Sequence, residues 1–126
     1  MTQMKKALLI EPDAILLEQY GHKLADYFEV TRALTAQQAL DSLDTGVKFE
    51  VIVMDFDLGR NNGVELLHEI RSYDDWIHIP LIMLSSVPKN RLPQSKLARY
   101  GVVNLLYKPQ TAPGELLIQA RRALTS

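Results

Sequence analysis

Three short apolar runs in this chain, and a fourth interrupted by one asparagine, each end on a polar residue with chemical potential. Leu8-Leu9-Ile10 runs into Glu11, Val51-Ile52-Val53-Met54 into Asp55, Leu81-Ile82-Met83-Leu84 into Ser85, and residues 102–107 into Lys108. Unbroken aliphatic runs suit strands covered on both faces, as in a parallel sheet. Open α/β sheets bind their ligands at the C-terminal ends of such strands. Two carboxylates gathered there would bind a hard cation, and Mg²⁺ takes one or two carboxylates together with phosphate oxygens and water. A nearby hydroxyl and ammonium would hold the other oxygens of a phosphoryl group. Two carboxylates about 4 Å apart repel by about 4 kcal/mol at an effective dielectric of 20, so the cluster needs Lys108, a metal or a proton to offset it. Each residue alone has a plainer reading. A lone Asp after a strand is mostly a solvated loop starter, Ser85 a hydroxyl bonded to backbone, and Glu11 with Lys108 a simple ion pair. Their convergence favours a site.

The elements that position them alternate along the chain. After Glu11-Pro12, Asp13 can cap a helix in which Leu17, Tyr20, Leu24 and Phe28 recur at helical spacing. Residues 29–32 read as a short strand. Thr35 can cap a helix over 36–43, with Ala36, Ala39, Leu40 and Leu43 inward and Gly46 ending it. Gly63 opens a third helix with Val64, Leu67 and Ile70 on one side and Arg71 near its end, which suits the helix dipole. The Arg60-Asn61-Asn62 tip before it reads as a polar turn. Pro88 and Pro93 leave room only for a short fourth helix, closed by Gly101, and the last helix begins near Thr111 with Leu116, Leu117, Ala120 and Leu124 inward. Five strand–helix units predict an α/β fold with a parallel sheet and helices on both faces. No glycine-rich loop follows the first strand, which disfavours a Rossmann order. The expected fold is a flavodoxin-like, doubly wound, five-stranded sheet of order 2-1-3-4-5, with Glu11 and Asp55 side by side at the switch point.

At 126 residues the chain is expected to form one domain, residues 1–126. With 47% hydrophobic and 23% charged residues it has the make-up of a soluble globular protein. It has no cysteine, hence no disulfide or Cys-based metal site, and its first apolar run is too short for a leader or a membrane span. The net charge of −1 provides no field to attract nucleic acid or anionic lipid. The expected setting is the cytoplasm, with no membrane partner and no direct nucleic-acid contact. His22, His68 and His78 show no metal-ligand spacing, and Arg121-Arg122 reads as a solvated helix end.

At LLIEPD, VIVMDFDLGRNNGVELLHEIR, IPLIMLSS and LLYKP the chain resembles the receiver domain of bacterial two-component response regulators, over its whole length. The resemblance implies that Asp55 accepts a phosphoryl group from a histidine kinase or phosphotransfer protein, with Mg²⁺ held by Glu11, Asp55 and the backbone carbonyl of Asp57. Ser85 would match the hydroxyl that moves toward the phosphoryl group, and Lys108 the lysine that contacts it across a cis Lys108–Pro109 bond. Output would pass through the fourth helix, fifth strand and fifth helix, to an unknown output domain or protein or to a second copy in a homodimer. Three positions depart from the family pattern. Pro12 replaces the second acid after strand 1, which weakens Mg²⁺ binding, although the Asp57 side chain could substitute. Gly59 replaces a proline, and Leu105 replaces the aromatic switch residue.

Two other classes compete. One is a pseudo-receiver, a protein-binding module independent of phosphorylation, for which Pro12 and Leu105 speak. The other is an aspartate-nucleophile phosphatase, because Asp55-Phe56-Asp57 also resembles the DxD of haloacid-dehalogenase-type enzymes. That motif belongs on the first strand of a longer chain with further downstream acids, and here it follows the third. The expectation is therefore a signalling domain rather than an enzyme.

Overall fold

Each of the apolar runs enters a single parallel sheet. A computed structural model describes residues 3–59 and 61–125; Arg60, expected within a polar turn, lies outside them. The strands of this sheet are β1 (Lys5–Ile10), β2 (Phe28–Ala33), β3 (Val51–Asp55), β4 (Leu81–Ser85) and β5 (Val102–Tyr107); apart from it, Asp57–Leu58 pairs antiparallel with Asn61–Asn62, so the tip read as a polar turn is a small two-residue ladder. All five strands of the sheet pair in parallel, in the order 2-1-3-4-5 of a flavodoxin-like fold.

Side chains of the central strands alternate between two cores. Ala7, Leu9, Val51, Val53, Ile82 and Leu84 pack against α1 (Ala14–Leu24) and α5 (Pro113–Ala123). Leu8, Ile10, Ile52, Met54, Leu81 and Met83 pack against α2 (Ala36–Leu43), α3 (Gly63–Ile70) and α4 (Gln94–Arg99). Burying each of these side chains other than Ala7 contributes about 1.5–3 kcal/mol, so these two layers dominate the stability of the fold.

The helix starts follow their capping residues. Asp13 Oδ1 accepts from Ile15 N and Leu16 N at 2.9 and 3.1 Å. Thr35 Oγ1 accepts from Gln38 N at 3.1 Å, and Asn62 Oδ1 from Glu65 N at 3.0 Å. Each satisfies an otherwise orphaned first-turn donor. Phe28 departs from the helical expectation. The first helix stops at Leu24, a turn through Ala25, Asp26 and Tyr27 follows, and Phe28 is the first residue of β2. It still packs into the α1-side core, because a four-residue step suits both a helical turn and this one. Leu66 joins Leu67 and Ile70 as a buried residue of α3, whereas Val64 is only partly buried. A 3-10 turn (Lys89–Arg91) precedes α4, whose N-terminus has no side-chain cap.

Candidate functional site

Strands β1 and β3 are neighbours where the strand order reverses, so their C-terminal ends set Glu11 and Asp55 beside each other. Glu11 is fully buried and Asp55 is 2% exposed. Two carboxylates so removed from water need a counter-charge, and Lys108, at the end of β5, supplies it. Its ammonium hydrogen-bonds Asp55 Oδ2 and lies 2.5 Å from Glu11 Oε1. Glu11 Oε1 has no aligned hydrogen-bond donor, so this second contact is a charge contact. The remaining carboxylate oxygens bind backbone: Asp13 N donates to Glu11 Oε2 at 3.0 Å and Asp57 N to Asp55 Oδ1 at 2.8 Å.

One cation between two buried anions leaves a net negative charge, and the proton affinities respond. Burial pushes the Glu11 carboxyl above its ordinary range; the Lys108 ammonium and the Asp13 N–H pull it down, and the charge of Asp55 adds to the rise. For Lys108, burial works to lower the value, but its hydrogen bond to Asp55 and its charge contact with Glu11 outweigh that and the ammonium ends raised. Lys108 therefore stays charged at neutral pH.

The other expected residues are placed differently. Ser85 is buried at the same edge, but its hydroxyl donates to Val87 O at 2.9 Å and accepts from Val87 N at 3.0 Å. Asp57 is exposed, and its Oδ1 accepts from Gly59 N at 2.9 Å. Asp13 is held as the α1 cap and Pro12 is exposed. The Lys108–Pro109 bond, expected cis, is trans, as are all described peptide bonds. Trans is the lower-energy form by about 0.5–1 kcal/mol before proline. It leads here into a 3-10 turn (Lys108–Gln110), with Thr111 N donating to Lys108 O at 3.0 Å.

Two further residues shape the site without a strong sequence signal. Gly63 N donates to Phe56 O at 2.5 Å, and a Cβ there would meet Phe56 O at 2.8 Å and Asp55 O at 2.9 Å. Tyr20, legible as an inward α1 residue, also donates its hydroxyl to Thr111 O at 3.0 Å. Burial raises its phenol, with Lys108 opposing and Glu11 and Asp55 reinforcing, which places the hydroxyl within electrostatic reach of the cluster. A cavity of about 1060 Å³ at the opposite edge of the sheet, lined by Lys5, Lys48, Trp76 and His78, touches none of these residues.

For a divalent cation, the donor set fits through Glu11 and Asp55, two hard oxygen ligands, of which Glu11 Oε1 is buried without a hydrogen bond. A cation there competes with Lys108. No group of three His, Cys, Asp or Glu side chains comes together among the described residues, so a third side-chain ligand is not at hand.

Fold and cluster thus define a doubly wound α/β domain with a lysine-bridged carboxylate pair at its switch point. Residues 7–121 match the response regulator receiver domain family, and the chain belongs to that family of two-component signalling domains. It is similar to the probable transcriptional regulator ycf29 of Porphyra purpurea, 29% identical over 106 residues, covering 82% of this chain and 50% of that protein. It is also similar to the alginate biosynthesis transcriptional regulatory protein AlgB of Pseudomonas aeruginosa, 26% identical over 120 residues, 94% of this chain and 26% of that protein. The chain spans half or less of the length of these relatives. The chemotaxis response regulator CheY4 of Vibrio cholerae superposes with a TM-score of 0.87 at 25% identity, covering 97% of this chain and 100% of that one. No helix among the described residues is long and apolar enough to cross a membrane.

Proposed function

We propose that residues 1–126 act as a single cytoplasmic receiver domain in which Asp55 accepts a phosphoryl group from a phosphohistidine of a histidine kinase or phosphotransfer protein. The observation that carries this reading is the Lys108 ammonium seated between Asp55 and Glu11 at the switch point. An Asp55 carboxylate oxygen attacks phosphorus and forms the P–O bond. The P–N bond breaks, its electron pair goes to the imidazole nitrogen, and the product is an acyl phosphate on Asp55. Lys108 then hydrogen-bonds a phosphoryl oxygen, and the Ser85 hydroxyl exchanges its bonds with Val87 for one to the same group. Glu11, Asp55 and the Asp57 carbonyl would hold Mg²⁺. When bound, this ion supplies positive charge that offsets the charge on the transferring oxygens.

Output passes through the surface of α4, β5 and α5 to an output domain or protein, or to a second copy of the chain. The names of the two longer relatives, both transcriptional regulators, support a regulatory output. Incubation with acetyl phosphate and Mg²⁺ is expected to add one phosphoryl group, and Asp55→Asn to abolish the labelling. Labelling that persists in the mutant places the acceptor elsewhere.

A phosphate-independent binding module is the second reading. It is favoured by Pro12 in the place of an acid, by Leu105 in the place of an aromatic, and by a Ser85 hydroxyl already satisfied by Val87. Failure of the wild type to label at high donor and Mg²⁺ would select it.

A further inference from the structure

Lys108 can reach both Glu11 and Asp55 only if the turn that carries it stands at a fixed place over the sheet edge. That turn, Lys108–Gln110, has few backbone ties, because Pro109 has no N–H to donate. Thr111, which ends the turn, binds back along the chain, from N to Lys108 O at 3.0 Å and from Oγ1 to Tyr107 O, the last residue of β5, at 2.8 Å. The tie to a distant element is the Tyr20 hydroxyl, which donates to Thr111 O at 3.0 Å across 91 positions. Both residues are buried, Tyr20 at 3% and Thr111 at 6% exposure, so water does not compete for the bond. Tyr20 stands on α1, and the capping residue of the same helix, Asp13, gives its N–H to Glu11 Oε2. One helix therefore holds Glu11 at its start and, two turns on, the segment that bears Lys108. Packing explains the ring of Tyr20, since Leu17 and Leu24 fill the same core beside it. It does not explain why the polar tip meets this particular carbonyl.

We propose that Tyr20 is a positioning residue for the Lys108 ammonium, acting through Thr111 O. Its effect on phosphoryl transfer rests on the function proposed above; its effect on Lys108 does not.

The test uses ¹⁵N-labelled full chain and Tyr20→Phe, which keeps the ring and removes the hydroxyl. The Lys108 ammonium, enclosed by its carboxylates, is expected to exchange its protons slowly in the wild type and about tenfold faster in the variant, the scale of one lost hydrogen bond. Phosphorylation by acetyl phosphate is expected to slow about tenfold at an unchanged half-saturating donor concentration, because a misplaced ammonium affects the transition state rather than donor binding. Unchanged Lys108 exchange in Tyr20→Phe overturns the proposal. So does an equal acceleration in Leu24→Ala, which would mean that Lys108 merely reports lost stability. Faster Lys108 exchange in the variant of a protein whose wild type takes no phosphoryl group supports the positioning role and sinks the phosphoacceptor reading. Should Tyr20→Phe fail to fold, Tyr20→Met, which also lacks the hydroxyl, is judged by the same exchange measurement.

Discussion

His68 Nδ1 lies 2.8 Å from the hydroxyl of Tyr100, and the two rings meet edge to face with centroids 5.7 Å apart. His68 belongs to α3 and Tyr100 to the C-terminal end of α4, so this contact fastens α4 to α3. Arg71 reinforces it, with Nε donating to Tyr100 O at 2.7 Å and Nη1 to Trp76 O at 2.8 Å. Burial lowers the Arg71 guanidinium from its ordinary value, and these carbonyls take the place of its lost water. Among the described residues, the N-terminal end of α4 has no such bond to another helix; Gln94 Nε2 donates only to Lys89 O of the preceding turn, at 2.9 Å, beside the buried Leu92. The helix is six residues long, uncapped by any side chain, and preceded by a single 3-10 turn.

Activation is therefore expected to swing α4 about Tyr100. Hydrogen exchange with and without beryllofluoride should change most over residues 86–94 and least at Tyr100 and Gly101, since weakly bonded segments open first. Leu105 is half-buried against the α3–α4 core and has no ring to turn and no polar tip, so it should stay nearly still. Changes confined to β5, with residues 86–100 silent, would refute this pivot.

Glu11 and Lys108 give the stability a defined pH dependence. The folded value of Glu11 lies above 4.5, so the folded state holds that proton more tightly than the unfolded chain does. Its stabilising contribution is fully present below pH 4.5 and disappears as pH rises through the folded value. Lys108 is raised above 10.5; its contribution is complete below pH 10.5 and is lost as pH climbs through its folded value. Glu11→Gln is thus expected to be more stable than the wild type at neutral pH, with the difference shrinking on acidification toward pH 4.5. Lys108→Met should lose the alkaline limb. Urea denaturation across this range measures both, and a Glu11→Gln offset constant from neutral to acid pH would contradict the raised value.

Much of this was legible because Glu11, Asp55 and Ser85 each end an unbroken apolar run, and Lys108 a run interrupted only by Asn104. Glu11, Asp55, Ser85 and Lys108 fall at one edge once strand order is known, and Asp13 and Thr35 cap helices as their side chains allow. What was not legible depends on contacts between distant segments. Phe28 fits a helix by spacing and a strand by tertiary context. Ser85 could have faced the carboxylates or its own loop, and only the path through Ser86 and Val87 turns it to the loop. Tyr20 read as core because periodicity reports which side a residue faces, not where its polar tip ends. Arg71 read as a dipole partner, whereas its main role is to bind carbonyls at the end of α4.

Gly63→Ala offers a steric test of the loop behind Asp55. The new Cβ would lie 2.8 Å from Phe56 O and 2.9 Å from Asp55 O, both backbone atoms that cannot rotate away. The clash is expected to cost about 1–3 kcal/mol, against a helix-propensity gain of roughly 1 kcal/mol. Because it presses on the residue that bears the carboxylate, labelling by acetyl phosphate should fall more than stability does. Gly46→Ala is the control. Its φ of 85° makes the backbone strained for alanine, with nothing within 4 Å, so it should cost about 1–2 kcal/mol and leave labelling intact. Equal denaturation midpoints for Gly63→Ala and wild type would show that the close approach is not limiting.

Pro12 offers the last test, of the acid that this site lacks. It is exposed beside Glu11 and presents no side-chain oxygen. Pro12→Asp adds a carboxylate at the lip of the cluster, where solvent screens its repulsion well below the roughly 4 kcal/mol of a close pair at moderate dielectric. Binding of Mg²⁺ should tighten about tenfold, on the order of 1.4 kcal/mol. Stability without metal should fall by about 1 kcal/mol, part of it because the unfolded chain is freer without proline. Pro12→Ala separates the two effects, since it frees the chain without adding charge; it should share the stability loss and show no gain in Mg²⁺ affinity. Calorimetric titration of all three proteins decides. Equal or weaker Mg²⁺ binding in Pro12→Asp would mean that Asp13 or Asp57 already supplies the missing ligand. Asp13 is bound to Ile15 N and Leu16 N, and Asp57 to Gly59 N, so either would first have to give up its backbone partner. Tightening is therefore the expected result.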